Sequence, residues 1–219
     1  LLSSTLRSYF EGKEDLFKGL AIETLEKEWI EYPVLHFDLS TFKNCDLSLF
    51  PEKFDMQLRR FEKQFGIEDM RKSAGNRLTQ LIEQAESMTG RKVVIIIDEY
   101  DAPLLDVLHD ETKLEAVRTI MQEFYAPIKA NSSHIHFAFI TGITKFSQLS
   151  IFSTINNLTN ISMDPEFSTI CGITKDELDT VLKEDIALLA SKNHVSFERM
   201  RELLRENYDG YHFSREGED

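Results

Sequence analysis

The sequence predicts an α/β domain with a mostly parallel sheet, followed by a small helical region. Three observations lead there. Short apolar runs alternate with long amphipathic stretches, the pattern of strands joined by helical crossovers. The run Val93-Val94-Ile95-Ile96-Ile97 is apolar without alternation, as a strand covered on both faces requires. After about residue 170 the strand signals stop while helical periodicity continues. The expected division is a core over 1–170 and a helical, lid-like region over 171–219.

Taken in order, residues 1–10 read as the body of a helix, with Leu2, Leu6 and Phe10 at i, i+4 and i+8. Glu11-Gly12-Lys13 breaks it, and short helices are expected around residues 15–20 and 23–29. Residues 33–39 read as a strand that ends in Ser40-Thr41. Two helices follow, over 51–66 and 68–89, closed by Gly66 and Gly90. Arg91-Lys92 leads into the strand 93–97, and Asp98-Glu99-Tyr100-Asp101 follows at once, with Pro103 beyond. Leu114, Val117, Met121, Phe124 and Ile128 form one stripe of a helix over 112–130. Residues 134–141 read as a second buried strand, ended by Gly142, and a loop rich in Ser, Thr and Asn runs to about residue 162. A helix over 174–192 opens with Thr174 and Glu177 in capping-box spacing, and a last helix runs from about 196 to 207.

Composition limits the function classes. The chain has 219 residues, 42% of them hydrophobic, enough for a buried core. A net charge of −13 gives no electrostatic help against a phosphate backbone, so nucleic acid is not a favoured partner. Cys45 and Cys171 lie far apart, without Cys or His at metal-ligand spacing, which suits a reducing compartment. No run approaches the roughly 20 apolar residues of a membrane span. The start lacks the features of a signal peptide and has no initiator Met, so a cytoplasmic protein beginning upstream of Leu1 is expected. Asn131, Asn157 and Asn160 sit in N-x-S/T triplets of the kind that arise by chance.

The segment from Val93 to Asp101 carries the chemistry. Five apolar residues ending in Asp98-Glu99 match the Walker B pattern of ATPases. A carboxylate at the carboxyl end of a buried strand sits at the crevice where open α/β sheets bind ligands. There Asp98 would hold Mg²⁺ through water, since that ion keeps several waters and bridges phosphate oxygens. Glu99, one residue on, would polarise the attacking water. The bland alternative is a core strand followed by an acidic solvated loop. Thr141, at the carboxyl end of the next strand, is the candidate to sense the terminal phosphate, with Thr144 and Lys145 as second choices. Asp101 is a reserve carboxylate beside the stiff turn at Pro103. The phosphate-binding motif G-x-x-x-x-G-K-S/T does not occur in the chain, and Gly12-Lys13 reads as a helix end.

The chain resembles the AAA-ATPase-like proteins of bacteria along essentially its whole length. The resemblance rests on Leu1–Phe10 with Glu11-Gly12-Lys13, Leu16–Leu20, Tyr32-Pro33-Val34, and Val94–Leu104 with Asp98-Glu99-Tyr100-Asp101-Ala102-Pro103. It continues through Phe139–Phe146 to Asn207-Tyr208-Asp209-Gly210-Tyr211. It implies a three-layer P-loop NTPase sheet of the AAA-like kind lacking its first strand, with the phosphate loop just upstream of Leu1. The intact protein would then bind ATP and Mg²⁺ and release ADP and phosphate, while this piece alone would be inactive. A nuclease-like module beyond Asp219 is implied as well. The competing reading is a non-catalytic interaction or nucleotide-switch module that keeps the fold. The missing first strand would leave one edge of strand 134–141 open. His134 and His136 read as a surface pair at a strand start, Arg59, Arg60 and Lys63 as a solvated helix face, and Phe146, Phe152 and Phe167 as core or a partner surface.

Overall fold

A computed structural model describes residues 1–68, 73–143 and 158–208. The chain forms two compact units, Leu1–Leu158 and Thr159–Asp219. The first holds a three-stranded parallel sheet of β1 (Val34–Asp38), β2 (Val93–Asp98) and β3 (Ile135–Ile140), in the order β1-β2-β3. Around it lie α1 (Leu2–Phe10), α2 (Ile22–Leu25), α3 (Phe50–Gln64), α4 (Ala74–Thr89), α5 (Ala102–Leu105) and α6 (Glu111–Ala130).

The alternation of side chains along each strand decides which helix covers which face. Leu35, Phe37, Val93, Ile95 and Ile97 point into the main core, where Phe54 and Leu58 of α3, Leu78 and Ile82 of α4, and Val117, Met121, Phe124 and Ile128 of α6 meet them. Val34, Val94 and Ile96 point the other way and pack on Phe10 of α1. β2, apolar on both faces, is thus the covered central strand that its composition demands. β3 differs from the sequence reading, being only partly buried along its length. It is an edge strand, with no second neighbour among the described residues, so one side is shielded less than in β2.

Two close contacts fix the helical layer. A Cβ on Gly75 of α4 would stand 2.4 Å from the carbonyl oxygen of Glu123 in α6, so that helix crossing needs a glycine. Arg77 of α4 donates through Nε and Nη2 to both oxygens of Glu62 in α3, at 2.6 and 2.7 Å, and through Nη1 to Asp55 at 3.0 Å. Glu62 and Arg77 are both buried, which makes this a desolvated, two-pronged clamp between the helices.

Several boundaries depart from the sequence reading. The expected helix around 15–20 is a 3₁₀ turn, Glu14–Phe17, and that around 23–29 is the single turn α2, followed by extended chain. Trp29 breaks away because its ring packs against Tyr9 and Phe17. In α1 the buried positions are Ser3 and Phe10, with Leu2 and Leu6 at the margin. α4 starts at Ala74, capped by the Ser73 side chain. Arg60 is not a solvated face residue alone: its guanidinium donates to the His36 carbonyl and lies 4.5 Å from the Phe61 ring centroid. Asn131 is buried, and its amide donates to Pro127 at 3.0 Å, which removes it as a glycosylation acceptor in the folded chain.

The second unit contains α7 (Lys175–Asp179), α8 (Lys183–Lys192) and α9 (Phe197–Tyr208) around a small core of Ile186, Ala190 and Met200. The capping box of Thr174 and Glu177 forms as the spacing predicts. The single helix expected over 174–192 is two, broken after Asp179 at the β-branched pair Thr180-Val181, which resists helix propagation. Leu182 N–H closes the break on the Glu177 carbonyl at 2.9 Å. No helix among the described residues is long and apolar enough to cross a membrane.

Candidate functional site

Parallel pairing brings the carboxyl ends of all three strands to one edge. Asp38 is the register partner of Asp98, and Ile97 that of Ile140, so Thr141 emerges beside Asp98. Their side chains meet there, with the Thr141 hydroxyl donating to Asp98 Oδ1. The ladder continues past the strands. Thr141 N–H donates to Ile97 at 2.9 Å, and Tyr100 N–H to the Thr141 carbonyl at 2.8 Å.

Between these bonds the backbone of Glu99 takes φ +52°, a left-handed conformation that is costly for a residue with a Cβ. The Thr141 hydroxyl accepts from Glu99 N–H at 3.3 Å and helps hold it. The kink separates two adjacent carboxylates. Asp98 faces Thr141 on the β3 side, whereas Glu99 forms an ion pair with Lys43, which comes off β1. That pairing, chiefly the hydrogen bond to Glu99, raises the Lys43 ammonium above the usual lysine range. Lys43 follows the 3₁₀ turn Leu39–Phe42 and is held from both sides. Phe42 is buried, and the Asn44 N–H donates to Asp106.

The second oxygen of Asp98 faces the His36 ring, with Nε2 at 4.0 Å. Burial pushes the His36 imidazole below its ordinary range, against the opposing pull of Asp98. Asp101 is fully buried and accepts from Ile143 N–H at 3.0 Å, bracing the segment after β3. Burial, aided by Asp101, pushes the Tyr100 hydroxyl up to about 12. Gly142 packs against this pair. A Cβ there would lie 2.3 and 2.4 Å from Tyr100 ring carbons and 2.7 Å from Asp101 Oδ1.

Phe10, at the end of α1, packs on Val34 and Val94 near the strand starts, and Arg7, one turn back, acts electrostatically on His36.

Asp98, Glu99, Asp101 and Thr141 are thus gathered at one edge, and Thr144 and Lys145 lie outside the described residues. Phe146 and Phe152 lie outside them too, and Phe167 belongs to the second unit. Sequence reasoning missed Lys43 and His36. Lys43 carries no motif spacing to Asp98, and only the order of β1 beside β2 brings it near. His36 alternates with apolar neighbours and reads as strand. His134 and His136 bind elsewhere, His134 to Glu86 and His136 stacked on Tyr32 at 4.2 Å between centroids.

No group of three or more His, Cys, Asp and Glu among the described residues could enclose a metal. The donor set still fits magnesium, which needs no all-protein cage and is commonly held by one or two carboxylates, waters and phosphate oxygens. Asp98, with a side chain 34% exposed, offers such a carboxylate.

A protein of Azotobacter chroococcum mcd 1, titled "Uncharacterized protein in vnfD 5'region", is 32% identical over 216 residues, 99% of this chain. The chain spans 40% of that relative's length. No solved structure matches it. The sequence model of a family described as "Predicted AAA-ATPase" matches residues 1–152, which include all three strands together with Asp98, Glu99 and Thr141, and the chain belongs to that family.

Proposed function

We propose that this chain is the magnesium- and water-handling part of an ATPase that hydrolyses ATP to ADP and phosphate. The observation that carries the reading is the pairing of Thr141 with Asp98 at adjacent strand ends, with Glu99 turned out beside them. In this reading Asp98 holds magnesium through water, Glu99 orients the attacking water, and Thr141 contacts the terminal phosphate. Proximity and charge stabilisation supply most of the rate in phosphoryl transfer, and these groups have the types needed. Asp101 braces the loop after β3, and Thr144 and Lys145 are further candidates for phosphate contact. The order β1-β2-β3, with no second neighbour of β3 among the described residues, suits a P-loop sheet in which another strand, ending in the phosphate loop, lies beside β3. In this reading α1 is the helix that follows such a loop.

The test is ATP turnover by the protein expressed with its natural flanking sequence, with and without magnesium. The reading expects magnesium-dependent release of phosphate. An active protein whose rate is unchanged in excess chelator would defeat the assignment of Asp98. No turnover under any condition would favour a nucleotide switch or an interaction module.

A further inference from the structure

The amino-terminal edge of the sheet, opposite the edge that carries Asp98, holds a cavity of about 290 Å³. Tyr32 stands just before β1, His136 is the second residue of β3, and Tyr9 and Phe10 close α1; all four line the cavity. The Tyr32 N–H donates to the Phe10 carbonyl at 2.7 Å and ties the chain entering β1 to the end of α1. The segment between α2 and β1 adds two carboxylates, Glu26 and Glu28.

The rings hold one another. His136 stacks on Tyr32 with centroids 4.2 Å apart, and Phe10 meets the two rings edge-on at 6.1 and 6.0 Å. Glu26 is fixed in place. The Tyr9 hydroxyl donates to its Oε2, and the N–H groups of Lys27 and Glu28 donate to its Oε1 at 2.8 and 3.0 Å. The Glu28 side chain is exposed and enters no ion pair among the described residues. Neither lysine nor arginine lines the cavity. Ring faces beside carboxylates attract a cation, whereas an anion would meet two like charges. A guanidinium uses every part of this lining. It is flat enough to stack on the exposed His136 ring, and its fork of N–H donors matches a free carboxylate such as that of Glu28. The chain's own Arg91 illustrates the attraction, its guanidinium standing over the Tyr32 ring at 5.9 Å from the centroid without lining the cavity. We propose that this cavity is a second binding site, separate from the nucleotide crevice, and that its ligand is a guanidinium group, carried by an arginine of a polypeptide or by a free guanidino compound. The proposal does not depend on the ATPase reading.

The test titrates the protein, carrying its natural flanking sequence, into a fluorescein-labelled Ala-Ala-Arg-Ala-Ala peptide, read by anisotropy. The same peptide with citrulline in place of arginine keeps the shape and removes the charge. Glu28→Gln and His136→Ala alter exposed side chains, so the fold and its thermal midpoint should be kept. Each variant is expected to weaken binding of the arginine peptide by about tenfold or more, as loss of a partner to a charged group implies, and the citrulline peptide should bind at least about tenfold more weakly. Glu184→Gln removes the same charge from the exposed face of α8 and should leave affinity unchanged. Arginine amide that competes as well as the peptide would assign the site to a free guanidino compound, and competition about a hundredfold weaker would assign it to a polypeptide. Binding of neither probe would overturn the proposal. So would equal affinity for the citrulline peptide, or affinity retained in both Glu28→Gln and His136→Ala. An equal loss in Glu184→Gln would also overturn it, by reducing the binding to general attraction to an acidic surface.

Discussion

Replacing Thr141 by valine removes one hydroxyl and keeps the side-chain shape. That hydroxyl donates to a carboxylate and accepts the N–H of Glu99, which sits at φ +52°. A hydrogen bond to a charged group contributes about 1.5–3 kcal/mol to stability. Asp98 keeps 34% of its side chain exposed, so the low end applies. The lost contact to Glu99 N–H, at 3.3 Å, adds a smaller share, and the sum is about 2 kcal/mol. With a urea slope of about 2 kcal/mol per molar, the midpoint should fall by about 1 M. Trp29 is the sole tryptophan and packs on Tyr9 and Phe17 in the first unit, so its fluorescence reports unfolding there even at sub-micromolar concentration. Thr141→Ser keeps the hydroxyl and loses one methyl, worth about 0.8 kcal/mol. Glu99→Gly relieves a left-handed strain of about 1–2 kcal/mol but adds chain entropy and loses an exposed ion pair, for a net effect near zero. A valine variant no less stable than the serine variant would refute the claim that this hydroxyl organises the Asp98-Glu99 corner.

Arg77→Ala leaves Glu62 buried without its fork and should destabilise the chain by about 3–5 kcal/mol, read from chemical unfolding. Gly75→Ala should cost about 1–3 kcal/mol, although alanine is ordinarily the better helix former, because its methyl meets the Glu123 carbonyl. His36 is held below its unfolded value mainly by burial, so its contribution is complete above about pH 6.5 and is lost as pH falls through the lowered folded value. His36→Gln should therefore flatten the decline of stability just below about pH 6.5, and an unchanged slope there would contradict the assignment. The 219-residue chain, which has no phosphate-loop motif, should show no measurable heat on titration with magnesium and ATP, since the loop's N–H groups and lysine supply most of the grip.

Much of this was legible in the sequence wherever one periodic pattern met one structural demand. The unbroken apolar run of β2 could sit only in the middle of the sheet, which placed Asp98 at the edge. The stripe from Val117 to Ile128 turned its face to the core as its spacing requires. Legibility failed where distant residues decide. The extended chain after α2 follows from Trp29 packing on Tyr9 and Phe17, which no local propensity encodes. The partial exposure of β3 depends on its place at the edge, because its apolar composition alone resembles that of a covered strand. Lys43 and His36 entered the site only through the side-by-side order of β1 and β2. The split between α7 and α8 had a weak local signal in Thr180-Val181, which the strong capping box at Thr174 masked.

In the proposed function Glu99 acts on water while Asp98 serves magnesium. The most direct test compares nucleotide binding and turnover in Glu99→Gln, with the chain in its natural flanking sequence. The variant is expected to bind ATP with magnesium about as tightly as wild type and to hydrolyse it at least about a hundredfold more slowly, the lower range for a positioned general base. Turnover within a factor of about two of wild type, with binding intact, would contradict it.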